Sequence, residues 1–136
     1  MKIKIISGIN IIRFDGGLGN QMFEYAFYLS LRHKHPFSLY VFDTYASEEE
    51  HYGYELDKIF QINSRINRKL HNYILKLERH HYIDFEEAKE SSFWTFSPHV
   101  FISLWKPKRF IGYWQTERYF QSIEKNVRQV FTFRNE

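Results

Sequence analysis

A chain of 136 residues with 19 basic, 16 acidic and no cysteine side chains is sized for one domain with its own core. The lack of cysteine excludes disulfides and thiolate metal sites and suits a reducing compartment such as the cytoplasm. A surplus of only +3, spread over dispersed lysines and arginines, does not indicate nucleic-acid binding, although it suits a phosphate-bearing ligand or an anionic membrane surface. Aromatic residues supply 20% of the chain, most of them expected in the core, where rings bury large areas.

Met1-Lys2-Ile3-Lys4-Ile5-Ile6 reads as a first strand, because Arg13 and Asp15 interrupt it before any leader-type cleavage pattern. Ile11-Ile12-Arg13-Phe14 is short, β-branched and bounded by glycine, as the end of a strand should be. Next comes Gly16-Gly17-Leu18-Gly19-Asn20-Gln21, and then Met22, Tyr25, Ala26 and Leu29 at helical spacing up to His35-Pro36. Asn20 is the expected N-cap. Glycines between a strand and a helix permit positive φ and close ligand approach, and a helix start favours an anion. The loop lacks both the G-x-G-x-x-G spacing and the lysine of a P-loop, so on its own it serves equally well as a ligand-free βα turn.

Leu39-Tyr40-Val41-Phe42, closed by Asp43, reads as the second strand of a βαβ unit. Ser47-Glu48-Glu49-Glu50 is expected as a solvated loop, a less natural place for a general base. Tyr54 to Phe60 reads as a short helix packed through Leu56, Ile59 and Phe60, and a longer helix capped by Ser64 carries Ile66, Leu70, Tyr73, Ile74 and Leu77 on one face. A short strand over Tyr82 to Phe85 precedes an acidic turn or helix at Glu86 to Glu90. Ser91 to Pro107 has no clean period. Arg109 to Trp114 then reads as a strand and Glu117 to Phe131 as a helix with Phe120, Ile123, Val127 and Val130 inward. The two strand-to-helix junctions, at Gly16 to Gln21 and at Trp114 to Thr116, should share the carboxyl edge of a parallel sheet, where such folds bind ligands. The 7 histidines lack metal-ligand spacing, with no H-E-x-x-H, and no G-x-S-x-G elbow is present.

Three segments, Gly16 to Phe27, His51 to Phe60 and Gly112 to Phe120, resemble in order and spacing the α-1,2-fucosyltransferase family, GDP-fucose-dependent inverting glycosyltransferases. Glu24 departs from that family's pattern, where glutamine is usual. The resemblance implies an α/β, Rossmann-like parallel sheet flanked by helices, the single N-terminal domain of a GT-B-like enzyme. It implies a nucleotide-sugar donor, a galactoside glycan acceptor, no metal, and a cytoplasmic location, peripheral to a membrane. It places Gly16, Gly17, Gly19, Asn20 and Gln21 on the donor side and makes His51, Tyr54 and Trp114 acceptor-side candidates, with plain core packing an equal alternative for Tyr54 and Trp114. No catalytic base is indicated. Family members continue into a His-x-Arg-Arg-x-Asp segment and a C-terminal donor-binding domain, both missing from these 136 residues. Residues 1–136 alone are therefore expected to transfer no fucose. The alternative is a non-catalytic remnant that grips sugar or a partner, or a truncated reading frame.

Overall fold

The structure, a computed structural model, describes residues 8–50, 52–92 and 95–135, so the expected strand at Met1 to Ile6 and the candidate His51 lie outside the described residues. Four strands, β1 (Ile9–Arg13), β2 (Leu39–Asp43), β3 (Glu86–Lys89) and β4 (Lys108–Ile111), form one sheet in the order β2-β1-β4-β3, with every pairing parallel. Both faces of the central β1 are covered, which is why Ile11 and Ile12 are both fully buried rather than alternating with polar residues. Ile12 joins the larger core beneath α1 (Leu18–Lys34), while Ile11 and Val41 pack with Ile74 of α4 (Arg68–Arg79) on the other face. The fold is thus α/β, with helices on both sides of a parallel sheet.

Helix α1 starts at Leu18, two residues before the expected cap. Gly16 takes φ +78 and turns the chain, Gly17 is the extended N-cap, and Asn20 lies inside the first turn. Its buried surface is wider than one stripe: Tyr25 and Ala26 are buried as expected, but so are Gln21, Glu24, Phe27, Ser30 and Leu31. The reason is that the helix is covered by the sheet on one side and by the C-terminal segment on another, where Phe23 meets Phe120 and Tyr25 meets Phe131.

Elsewhere the sequence reading is corrected in four places. Tyr45–Glu50 is a short helix, α2, not a loop, and the Glu48 carboxylate pairs with Arg68 of α4. The residue capping α4 is Asn67, whose side chain accepts from the Leu70 amide at 3.0 Å; Ser64 is taken up by Asp57 and Tyr54. The third strand is Glu86–Lys89, not Tyr82 to Phe85. It is an outer strand with Ala88 its one buried residue, so three charged side chains can stay in water. The C-terminal helix is broken into two 3-10 turns, Glu117–Tyr119 and Gln121–Ile123, before α5 (Glu124–Val130). The short helix α3 (Leu56–Ile59) lies as expected, and Phe120, Ile123 and Val127 are buried as expected. Among the described residues no helix is long and apolar enough to cross a membrane.

Candidate functional site

Because the strands are parallel, all four end at one edge. The chain leaves β1 toward β2 on one side and later returns to fill β4 on the other, so the strand order reverses between β1 and β4, the position where open α/β sheets form a crevice. A cavity of about 520 Å3 opens there. Arg13 and Asp15 line it from the end of β1, Lys89, Glu90, Ser91 and Ser92 from the end of β3, and Ile111, Gly112 and Tyr113 from the end of β4. Arg13 and Asp15 form a loose ion pair at 3.6 Å on its wall.

The glycine loop borders this cavity through Asp15. Gly16 holds a positive φ that a side chain would strain, and a Cβ there would run into the Asn20 side chain. A Cβ on the exposed Gly19 would meet nothing within 4 Å. Gln21 is fully buried and fully engaged: its Nε2 donates to the carbonyls of Gly16 (3.1 Å) and Gly53 (2.9 Å), and its Oε1 accepts from the Glu55 amide (2.9 Å). It therefore clamps the loop to the Tyr52 to Glu55 segment and is not presented to a ligand. Replacing Gln21 by alanine should cost about 2 kcal/mol in urea unfolding, since two carbonyls and an amide lose their partners together.

Gln115 Nε2 donates to Asn20 Oδ1 at 2.5 Å, and this bond ties the β1 junction to the β4 junction, 95 residues apart. Trp114 between them is fully buried, with φ +55 and its indole stacked on Phe27 at 3.8 Å and 5°. Its backbone is held by Glu90, whose Oε1 accepts from the Tyr113 and Trp114 amides at 2.7 and 2.8 Å while Oε2 accepts from the Tyr119 hydroxyl at 2.9 Å. Burial, with the Glu90 carboxylate adding to it, pushes the Tyr119 hydroxyl up to about 12, so it remains a donor at neutral pH. Tyr54 is half-buried against Phe14 and Phe42, with its hydroxyl 2.6 Å from Ser64 Oγ; burial raises its pKa strongly. It also lines a second cavity of about 650 Å3 with Thr44, Glu48 and Asp57, beyond the end of β2.

No family model and no solved structure matches the chain. Over 131 residues, 91% of this chain and 45% of the relative, it is 30% identical to the alpha-1,2-colitosyltransferase of Escherichia coli. The chain is related to a glycosyltransferase. It spans less than half the length of that relative.

The sequence candidates divide clearly. Gly16 and Gly17 form the turn at the carboxyl edge, Gly19 and Asn20 lie in the first turn of α1 beside it, Gln21 supports the turn from inside, Tyr54 lines the neighbouring cavity, and Trp114 packs in the core beneath the second junction. The cavity-lining Arg13, Asp15, Glu90 and Tyr113 are not among the sequence candidates. Asp15 carries a signal in its place between a strand and a double glycine. Glu90 carries none, because the sequence places β3 four residues too early. Among the described residues no group of three or more His, Asp or Glu could hold a metal ion.

Proposed function

We propose that this chain forms the N-terminal half of the active cleft of an α-1,2-fucosyltransferase, which moves L-fucose from GDP-fucose to the 2-hydroxyl of a galactoside in surface-polysaccharide synthesis. The observation that carries this reading is the position of the glycine loop directly after Asp15, which lines the crevice at the reversal of strand order, in a chain similar to an α-1,2-colitosyltransferase.

In the reaction the acceptor oxygen attacks C1 of fucose as the bond from C1 to the diphosphate breaks, and GDP leaves with the electron pair. The leaving diphosphate gains charge in the transition state. The first turn of α1, which carries neither a side-chain cap nor an acidic residue, offers amides and the positive end of a helix dipole to that charge. Arginines of a second, C-terminal domain supply the remaining compensation, in keeping with a metal-independent reaction. The acceptor hydroxyl must lose its proton to a base. Of the two carboxylates on the cavity, Glu90 has both oxygens occupied by amides and a tyrosine, which leaves Asp15 for this role. Holding both substrates in one cleft supplies the orientation that the displacement needs.

Gly19 separates this function from folding. Replacing Gly19 by leucine meets open space and should leave the unfolding midpoint level or raise it, since glycine is a poor helix residue by roughly 0.5–1 kcal/mol. The same change should weaken GDP-fucose binding about tenfold or more by keeping the diphosphate off the loop backbone. Calorimetric titrations giving equal affinity for both proteins would sink the donor-side assignment.

A further inference from the structure

The parallel topology that collects the candidate site at one edge also collects a different surface at the other. Helices α1 and α4 both run back and end at the amino edge, where the turns leading into β2 and β4 also lie. This edge exposes large apolar side chains that a water-facing surface ordinarily hides: Phe37 is 96% exposed, Ile102 64% and Trp105 50%. The same edge carries the exposed cations Arg32 and Lys34 of the last turn of α1, Lys106 beside the Trp105 ring, and Arg79 at the end of α4. Lys34 Nζ lies 5.1 Å over the Phe101 ring, which sets the end of α1 against the turn carrying Ile102 and Trp105. Among the described residues the acidic groups of this edge are Glu78, neutralised by a bidentate pair with Arg109, and the exposed Asp84 and Glu86 at the start of β3, where the Glu86 amide bonds the Pro107 carbonyl next to Lys106.

We propose that this amino edge is a docking surface for an anionic lipid bilayer, with Phe37, Ile102 and Trp105 entering the interface and Arg32, Lys34 and Lys106 meeting lipid phosphates. Exposed apolar tips, a tryptophan among them, with cations at the same edge match a negatively charged surface with an apolar interior, and fit neither plain water nor a basic partner. Docked in this way, the protein turns the opposite, carboxyl edge and its cavity toward the aqueous phase. The proposal stands independently of the transferase reading, because it uses none of the cavity residues.

Co-sedimentation with vesicles tests it. The protein should pellet with phosphatidylglycerol/phosphatidylcholine vesicles at least about tenfold better than with phosphatidylcholine alone, and high salt should remove the difference. The double variant Lys34→Glu, Lys106→Glu should lose binding to the anionic vesicles, whereas the same charge change at exposed positions away from this edge, Lys69→Glu with Lys125→Glu, should lose far less. Phe37→Ser with Trp105→Ser should weaken binding too, with an unchanged circular dichroism spectrum. No pelleting with anionic vesicles, or equal losses from the two charge-reversed pairs, overturns the proposal.

Discussion

Replacing Glu24 by glutamine should stabilise the protein by about 2–3 kcal/mol at pH 7 and leave it nearly unchanged at pH 4. Glu24 is fully buried in α1, with both carboxylate oxygens facing the Asp15 amide at 3.1 and 2.8 Å. Burial dominates and lifts its pKa from 4.5 to about 10, against the opposing pull of the Asp15 amide. The carboxyl group therefore stays protonated in the folded chain at neutral pH, whereas in the unfolded chain it ionises above about pH 4.5. Between these values the folded state holds one more proton than the unfolded state, so stability falls as pH rises, by at most about 1.4 kcal/mol per unit. Below 4.5 both states are protonated and the penalty is absent. Glutamine keeps an acceptor for the Asp15 amide and has no charge to suppress. Urea denaturation of both proteins across pH 4 to 9 checks this: parallel curves for wild type and variant would contradict a neutral Glu24. The departure from the fucosyltransferase pattern noted in the sequence is thereby a small one, since a protonated glutamate has nearly the shape and charge of glutamine.

Glu90→Ala is expected to cost about 3–5 kcal/mol, the largest loss foreseen for a residue at the candidate site. The carboxylate satisfies two consecutive amides and a hydroxyl, and one of those amides belongs to Trp114, which must hold φ +55 without being glycine. Gly112 is part of the same device, because a Cβ there would stand 2.7 Å from Glu90 Oε1. Glu90→Gln should be milder. Its Oε1 can still accept both amides, and its Nε2 can donate to the Tyr119 oxygen while the hydroxyl turns to the Thr95 carbonyl, 3.3 Å away. Denaturation midpoints in the order wild type, glutamine, alanine are the expected result. An alanine variant as stable as wild type would show that the left-handed turn is held by the Trp114 ring stack alone.

The parts of the fold legible in the sequence are those with clear boundaries: β1 and β2 are short apolar runs closed by a charged residue or glycine, and α1 runs from a glycine pair to His35-Pro36. Their junction at Gly16 is visible because glycine pairs have few other uses between a strand and a helix. The structure moves β3 to Glu86–Lys89, although the aromatic and β-branched run at Tyr82 to Phe85 looks more like a strand. In the fold Ile83 and Phe85 instead pack as a loop onto the core under α4. Capping was misassigned for a similar reason: Ser64 is a good cap by type, but Asp57 and Tyr54 already occupy its hydroxyl. Gln21 is the clearest case of all. Its polarity beside a glycine loop suggests ligand contact, and only the position of Gly53 and Glu55, more than thirty residues on, shows that it binds the chain itself.

The proposed function requires the carboxyl-edge crevice to receive a nucleotide sugar, which an amide-resolved NMR titration of the isotope-labelled chain with GDP-fucose checks. Shifts are expected at Asp15, Gly17 to Asn20 and Gly112 to Gln115, with the amino-edge residues Phe37 and Trp105 unmoved. A spectrum that stays unchanged at millimolar donor, or one whose shifts fall away from the β1 and β4 junctions, would contradict it.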